Sequence, residues 1–204
     1  MSANLRALLF DLGGVLVDID FRRAFKVWAT HSALSETELA QTFQFDHPYQ
    51  QHERGQMSAQ EYFSYLAATL KLSGSPEEVE AGWNAIFVGE IAETRLLVQR
   101  ARKTLPCYAF TNTNEVHMKR WSKLYPDVVA AFDRIFASHQ IGLRKPERAA
   151  FEHISQAVGL APSAMLFFDD LAENIRAAEE AGLHAVLVRS SHDVARALQE
   201  AGAA

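Results

Sequence analysis

Short, uninterrupted apolar runs alternate along much of the chain with stretches in which apolar residues recur every three or four positions. The first pattern is typical of strands buried on both faces of a parallel sheet, and the second of amphipathic helices. From residue 92 onward the two patterns alternate, which predicts an α/β fold with a doubly wound parallel sheet. The predicted strands are 7–10, 107–110, 134–137, 165–168 and 184–188, and the predicted helices between and after them are 93–103, 115–124, 147–158, 174–181 and 193–201.

The segment 21–88 is different because its apolar residues follow helical spacing throughout. A first helix is predicted over 21–31. Three capping boxes, in which a serine hydroxyl and an acid three residues later cap each other's backbone N–H groups, predict helix starts at Ser35, Ser58 and Ser75. We therefore expect about four consecutive helices with no strand between them, and a polar junction over 45–55.

These patterns predict two domains. Residues 1–15 and 89–204 form the α/β core, and residues 16–88 form a helical cap inserted after the first strand. A chain of 204 residues is long enough for one substantial core with such an insert.

Polar side chains follow three of the predicted strands at the point where each strand ends. Asp11 follows the first, Thr111 and Asn112 the second, and the pair Asp169-Asp170 the fourth. Lys145 lies on the loop after another strand. Because the carboxyl ends of parallel strands share one edge of the sheet, where open α/β sheets bind ligands, we expect these groups to meet in one crevice.

The chemistry of this set fits phosphoryl transfer. The carboxylates of Asp11, Asp169 and Asp170 are hard oxygen ligands suited to Mg²⁺, and a carboxylate is also a competent nucleophile toward phosphorus. Lys145 balances the charge of a phosphate dianion, and Thr111 with nearby backbone N–H groups holds its oxygens.

Each residue also has an ordinary structural interpretation. Asp11 with its glycines could form a simple turn, Thr111-Asn112 a strand-ending turn or N-cap, and Asp169-Asp170 the cap of the next helix. Lys145 could be a solvated loop lysine. Only the joint occurrence of these residues in this order favours a site.

The chain resembles the haloacid dehalogenase superfamily along essentially its whole length. The motifs that carry the resemblance are Phe10-Asp11-Leu12-Gly13-Gly14-Val15, Phe110-Thr111-Asn112, Lys145-Pro146 and Phe168-Asp169-Asp170-Leu171-Ala172-Glu173-Asn174. The resemblance implies a nucleophilic Asp11, phosphate contacts from Thr111 and Asn112, and a phosphate-stabilising Lys145. It also implies a Mg²⁺ site formed by Asp11, the backbone carbonyl of Gly13, Asp169 and Asp170.

Shorter matches resemble the bacterial branch that includes α-D-glucose-1-phosphate phosphatase. They are Asp18-Ile19-Asp20-Phe21, His52-Glu53-Arg54-Gly55, Thr111-Asn112-Thr113-Asn114 and Trp83-Asn84-Ala85-Ile86-Phe87. The implied reaction is Mg²⁺-dependent hydrolysis of a small sugar phosphate, such as glucose 1-phosphate, through an aspartyl-phosphate.

Gly13 departs from the superfamily pattern, because most of its phosphatases have a second aspartate at this position as general acid. The loss of a general acid typically costs about 10²–10⁴-fold in rate. Either the substrate has a good leaving group, or a water or a cap residue supplies the proton. His47, His52 and Glu53 are the candidates in the cap.

The net charge and the cysteine content limit the classes of partner and the cell compartment that we expect. The net charge of −5 argues against nucleic acid or an anionic membrane surface, so the expected partner is a small phosphate ester. The single cysteine, Cys107, lies in a predicted strand and cannot form an internal disulfide, which favours a cytoplasmic protein. No apolar run approaches a membrane-spanning length.

Two other functions compete with the phosphatase. A haloacid dehalogenase uses the same aspartate but leaves Asp169-Asp170 without a purpose, since it needs no Mg²⁺. A catalytically weak protein that binds phosphate ligands or partners would explain Gly13 as a sign of lost turnover.

Overall fold

The strands of the core and their pairing position the predicted site. The structure of the protein is a computed structural model, and it describes residues 5–203. Within these residues the strands are β1 (Ala7–Phe10), β2 (Val17–Ile19), β3 (Phe87–Glu90), β4 (Cys107–Thr111), β5 (Arg134–Ala137), β6 (Met165–Asp169) and β7 (His184–Leu187). Five of them form one parallel sheet in the order β5-β4-β1-β6-β7. The prediction of a doubly wound α/β fold is confirmed.

Strand β1 lies at the centre of the sheet because apolar side chains cover both of its faces. Leu8 and Phe10 point into one hydrophobic cluster and Ala7 and Leu9 into another, as the two-residue period of a strand requires. All four side chains are fully buried. The carboxyl end of β1 therefore lies between the ends of β4 and β6, which carry the other polar groups.

Helices cover both faces of the sheet. One hydrophobic cluster joins the sheet to the helices within 92–130 and 191–200, and the other joins it to the helices within 148–180. The helices are α1 (Arg22–Trp28), α2 (Glu36–Thr42), α3 (His47–Glu53), α4 (Ala59–Thr69), α5 (Pro76–Trp83), α6 (Ala92–Ala101), α7 (Glu115–Leu124), α8 (Pro126–Ala130), α9 (Ser138–Ile141), α10 (Arg148–Val158), α11 (Ala172–Glu180) and α12 (Ser191–Glu200).

Helices α1 to α5 form a bundle with its own aromatic core, which includes Phe25, Trp28, Tyr62 and Trp83. All three predicted capping boxes are present. The prediction of about four helices with a polar junction over 45–55 is wrong, however. That segment contains α3, which is capped by the side chain of Asp46. It was missed because the buried face of α3 includes the polar residues His52 and Glu53.

Within residues 22–83 no strand lies between the helices of the bundle, as predicted, but two strands that the sequence did not predict flank it. Strands β2 and β3 pair antiparallel on either side of it, with Val17 opposite Glu90. This ribbon stands where the chain leaves the sheet and returns to it, close to the predicted domain boundaries at 16 and 88. Residues 1–4 and 204 of the predicted core lie outside the described residues.

None of the helices between residues 5 and 203 is long and apolar enough to cross a membrane. Cys107 is buried in β4, as the sequence predicts, and burial raises the pKa of its thiol to about 12.

Candidate active site

Asp11 extends the central strand by one residue and presents its carboxylate at the edge of the sheet. Its backbone N–H donates to the carbonyl of Phe168 at 2.8 Å, so the sheet pairing continues through it. Its side-chain Oδ1 accepts hydrogen bonds from the backbone N–H of Leu12 at 2.7 Å and from Nζ of Lys145 at 2.8 Å. The carboxylate is thus held in one orientation.

Lys145 is a buried charge with two acidic partners. Its side chain is 1% exposed, and Nζ donates to Asp11 and, at 2.6 Å, to Oδ2 of Asp169. The rings of Phe110 and Phe167 lie 5.4 and 5.5 Å from Nζ. A charge this deeply buried is tolerated only when it is paired. The interpretation of Lys145 as a solvated loop residue is therefore wrong.

The side chain of Asn112 holds the loop that carries Lys145. Its Nδ2 donates to the Lys145 carbonyl at 2.9 Å, and its Oδ1 accepts from the Lys145 backbone N–H at 2.8 Å. Thr111, the last residue of β4, is buried and lines the same cavity as Asp11. Both predicted phosphate-binding residues line the cavity, and the side chain of Asn112 also holds the Lys145 loop.

The two acids after β6 have different surroundings. Asp169 is fully buried, and its carboxylate accepts hydrogen bonds from Asn174 Nδ2 at 2.9 and 3.0 Å as well as from Lys145. Asp170 is half-buried and lines the cavity. Asp169 therefore anchors Lys145 from behind, while the carboxylate of Asp170 is accessible.

Burial dominates the electrostatics of this cluster. It raises the pKa of Asp11 to about 7, aided by the charges of Asp169 and Asp170, although Lys145 opposes the shift. Burial also raises the pKa of Asp170, again with Asp169 adding to the effect. For Lys145, burial lowers the pKa, but the carboxylates of Asp11 and Asp169 outweigh it and the net shift is upward. The cluster therefore favours a cation next to these carboxylates.

The residues present fit Mg²⁺. One oxygen each from Asp11, Asp169 and Asp170 lie within 4.8 Å of one another. Carboxylate oxygens are the ligands that this ion takes, usually together with waters and a substrate phosphate. Gly13, proposed from the sequence as a carbonyl ligand, lines the same cavity.

A cavity of about 310 Å³ opens in front of Asp11, and both the core and the helical bundle line it. This volume is at the lower end of the range for small-molecule sites. The core contributes Asp11, Gly13, Thr111, Asn112, Lys145 and Asp170, and the bundle contributes Phe21, Phe45, Tyr49 and Glu53. Ile19, Phe45 and Leu171 are exposed apolar side chains on its walls.

The three cap candidates for a proton donor lie in different places. Glu53 lines the cavity, whereas His47 and His52 do not. The ring of His52 stacks on Tyr62, and its Nδ1 lies 3.0 Å from the Met57 carbonyl.

Sequence reasoning missed several residues of the cavity, among them Arg144, Tyr49 and His117. Arg144 directly precedes Lys145, and its Nε donates to Oε2 of Glu53 at 2.8 Å. The adjacent basic residues were a usable signal for Arg144. Tyr49 and His117 carried none, because helical spacing alone does not reveal which face meets the cavity.

Comparison with known proteins agrees with this architecture. The family model described as haloacid dehalogenase-like hydrolase matches residues 5–182. A D-ribitol-5-phosphate phosphatase of Bacteroides thetaiotaomicron is 26% identical over 184 residues, covering 87% of this chain and 89% of that protein. The sesquiterpene phosphatase AstK of Aspergillus oryzae is 28% identical over 192 residues, covering 90% of this chain and 89% of that protein.

Solved structures include a magnesium complex of a HAD-family enzyme from Bacteroides thetaiotaomicron. It superimposes with a TM-score of 0.81 at 25% identity, covering 91% of this chain and 93% of the other. The match by the family model extends over most of the chain, including the carboxyl ends of β1, β4 and β6. The chain therefore belongs to the haloacid dehalogenase-like hydrolase family.

Proposed function

We propose that this enzyme hydrolyses a small phosphorylated sugar or polyol, with Asp11 as nucleophile. The reaction class is phosphoric monoester hydrolysis, and the cofactor is Mg²⁺. The observation that carries the proposal is that Asp11, Lys145 and Asp170 line one cavity, with Nζ of Lys145 2.8 Å from Oδ1 of Asp11. That arrangement puts a carboxylate, a fixed cation and a metal-binding acid around the space for one phosphate.

The proposed chemistry has two steps. The carboxylate of Asp11 attacks phosphorus in line, and the bond to the leaving oxygen breaks as an aspartyl-phosphate forms. Water then hydrolyses the aspartyl-phosphate and releases inorganic phosphate. Lys145 holds its positive charge beside the transferring group, and Thr111 lies within the same wall. Bound Mg²⁺ supplies charge neutralisation for phosphate oxygens, with Asp11, Asp170, Asp169 and the Gly13 carbonyl as the proposed ligands.

Polar side chains outside the Asp11 cluster support a hydroxylated substrate. Glu53 and Arg144 line the cavity and can hydrogen-bond to sugar or polyol hydroxyls. The short motifs suggest glucose 1-phosphate. The relative from Bacteroides thetaiotaomicron, a D-ribitol-5-phosphate phosphatase, suggests a phosphorylated polyol.

A second candidate is the phosphate monoester of an apolar alcohol. The exposed side chains of Ile19, Phe45 and Leu171 give the cavity apolar walls that a sugar does not need. The similarity to a sesquiterpene phosphatase also supports an apolar alcohol as the leaving group. Hydrolysis of a carbon–halogen bond is disfavoured, because it gives no use to the accessible acid Asp170.

The experiment is a phosphate-release assay with Mg²⁺ or with EDTA. The substrates are glucose 1-phosphate, glucose 6-phosphate, ribitol 5-phosphate, a sesquiterpenyl monophosphate and 4-nitrophenyl phosphate. An Asp11→Asn protein purified in parallel measures the activity of any contaminating phosphatase. We expect the rate of this variant to be several orders of magnitude below that of wild type. We expect metal-dependent release that is fastest with a sugar or polyol phosphate.

Each other outcome has a definite meaning. A preference for the sesquiterpenyl ester would select the apolar candidate. No release from any substrate, including the activated aryl ester, would reject the phosphatase and favour a protein that only binds phosphate ligands. Equal rates with Asp11→Asn would reject the aspartyl-phosphate.

A further inference from the structure

We propose that Glu53, on helix α3 of the bundle, is the general acid that protonates the leaving oxygen and thereby replaces the acid missing at Gly13. This inference rests on the proposed function, because it assigns a role within the same reaction. It would make Glu53 a catalytic residue contributed by the bundle to a site whose nucleophile and phosphate-binding groups belong to the core.

The structure shows why position 13 cannot contribute the proton. Gly13 has no side chain, and a Cβ placed there would lie 3.3 Å from Cδ1 of Ile19. Ile19, on β2, thus stands against the position from which an acid at residue 13 would extend. With no acid at residue 13, the proton has to come from another group that lines the cavity.

The other titratable groups of the cavity lack a proton to give or are otherwise engaged. Arg144 does not deprotonate in proteins. His117 is kept neutral, since burial lowers its pKa to about 3, and its Nε2 lies 2.9 Å from the Trp83 carbonyl. Glu173 is exposed to solvent at the start of α11. Burial raises the pKa of the Tyr49 phenol well above its ordinary value, and its hydroxyl is engaged with the Glu53 carboxyl. Asp11, Lys145 and Asp170 belong to the nucleophile and metal cluster.

Glu53 remains, and its surroundings suit the role. It is 3% exposed, yet it lines the cavity that contains Asp11. Arg144 fixes its carboxyl from the loop beside Lys145 at 2.8 Å. Burial raises the pKa of Glu53, although Arg144, Tyr49 and Lys145 oppose the shift, and Tyr62 faces it from α4. A carboxyl whose pKa is shifted upward keeps its proton to higher pH, which is the direction of shift that a general acid requires.

The two steps balance in this scheme. As Asp11 attacks phosphorus and the bond to the leaving oxygen breaks, the Glu53 proton moves to that oxygen and the alcohol departs. In the second step the Glu53 carboxylate takes a proton from the attacking water, the bond between phosphorus and Asp11 breaks, and phosphate leaves. Glu53 is then protonated again and Asp11 is free.

The test compares leaving groups in the Glu53→Gln protein with Mg²⁺ present. Proton donation matters for an alkoxide leaving group, as in ribitol 5-phosphate or glucose 6-phosphate, and little for the acidic phenol of 4-nitrophenyl phosphate. We expect the ratio of the alkyl-ester rate to the aryl-ester rate to fall by about 10²-fold or more relative to wild type. A fall of both rates by the same factor would overturn the proposal.

Arg54→Gln is the matched control. Arg54 directly follows Glu53 at the end of α3 and pairs with Glu147 of the core, but neither Arg54 nor Glu147 lines the cavity. We expect this variant to keep the wild-type ratio of the two rates, because it weakens the contact between bundle and core without removing a proton donor. If the ratio of the alkyl-ester rate to the aryl-ester rate fell as far in Arg54→Gln as in Glu53→Gln, the effect would be structural and the proposal would be overturned.

A measurement on wild type keeps the proposal testable if Glu53→Gln does not fold. Rates are measured for a series of aryl and alkyl phosphates of increasing leaving-group basicity. We expect a shallow decline, since proton transfer neutralises the leaving oxygen; a steep decline would overturn the proposal. Failure of the wild type on all substrates, by contrast, would reject the proposed function itself.

Discussion

At the scale of single residues, the site is built around buried charges that hold one another. Lys145 bridges Asp11 and Asp169, and Asn174 donates to Asp169 from the opposite side. Removing one member of such a set leaves an uncompensated buried charge, which typically costs about 3–5 kcal/mol. The network therefore fixes Asp11, the proposed nucleophile, as well as stabilising the sheet edge.

The backbone of Gly14 lies against Asp170, a proposed ligand of Mg²⁺. Its φ of +71° is in the left-handed region, and a Cβ there would overlap the carboxylate of Asp170. We expect Gly14→Ala to displace Asp170 and to raise the Mg²⁺ concentration needed for half-maximal activity at least about tenfold, the effect of losing about 1.4 kcal/mol of binding free energy. Titration of activity with Mg²⁺ measures this.

Gly142→Ala is the control for that variant. Gly142 has nearly the same backbone conformation, with φ +73°, but a Cβ there meets nothing within 4 Å. Both substitutions should cost about 1–2 kcal/mol of folding free energy from the left-handed backbone. Only Gly14→Ala should change the Mg²⁺ requirement. An equal change in both variants would contradict the assignment of Asp170.

At the scale of elements, helix ends were easier to predict than helix faces. A capping box is a local hydrogen-bond pattern of four residues. The sequence therefore predicted correctly the helix starts at Ser35, Ser58 and Ser75. Helix α3 was missed because its buried positions 49, 52 and 53 have helical spacing but include a histidine and a glutamate. Such residues are buried only because tertiary partners such as Arg144 are present.

The crossing of α1 and α5 depends on one glycine. A Cβ at Gly82 would overlap the indole of Trp28, which is 1% exposed and donates its N–H to the Val79 carbonyl at 3.0 Å. We expect Gly82→Ala to lower the free energy of unfolding by about 1–3 kcal/mol through overpacking, more than the gain of at most about 1 kcal/mol in helix propensity. Urea unfolding measures the difference.

Gly89→Ala is the matched substitution in β3, where a Cβ meets nothing within 4 Å. It should change the unfolding free energy much less than Gly82→Ala does. If Gly82→Ala were as stable as wild type, the close approach of α1 and α5 would not be a constraint on the bundle.

At the scale of the whole molecule, bundle and core are joined by polar contacts as well as by the β2–β3 ribbon. Glu53, the last residue of α3, pairs with Arg144, and Arg54, which follows it, pairs with Glu147. The two core partners lie on either side of Lys145 in the sequence. His117 at the start of α7 stacks on Trp83, with ring centroids 4.4 Å apart. The wall of the cavity is therefore tied to the loop that carries the fixed cation.

His117 makes the stability of the molecule depend on pH. Burial lowers its pKa from 6.5 to about 3, so the unfolded chain binds a proton below pH 6.5 that the folded protein does not bind. The stabilising contribution is complete above pH 6.5 and declines as the pH falls toward 3. We expect this histidine to account for a loss of about 1.4 kcal/mol in unfolding free energy between pH 7.5 and 5.5.

Urea unfolding at these two pH values checks the prediction. His117→Gln should be less stable than wild type at pH 7.5, but its loss of stability on going to pH 5.5 should be smaller by about 1.4 kcal/mol. His192→Gln, at an exposed position of α12, should keep the wild-type difference. A His117→Gln protein with the full wild-type difference would contradict the buried, neutral state of His117.

The sequence by itself determined the alternation of strands and helices, and with it the edge of the sheet where Asp11, Thr111 and Asp170 meet. It could do so because a strand buried on both faces must be apolar until it ends. Polar residues directly after an apolar run therefore mark the strand end in the sequence itself. Only the tertiary structure decided how the helical bundle faces this edge, which gave Glu53 and Arg144 a place in the cavity and left His52 inside the bundle. That choice depends on contacts between residues about 90 positions apart, such as the Glu53–Arg144 ion pair, and local periodicity carries no information about them.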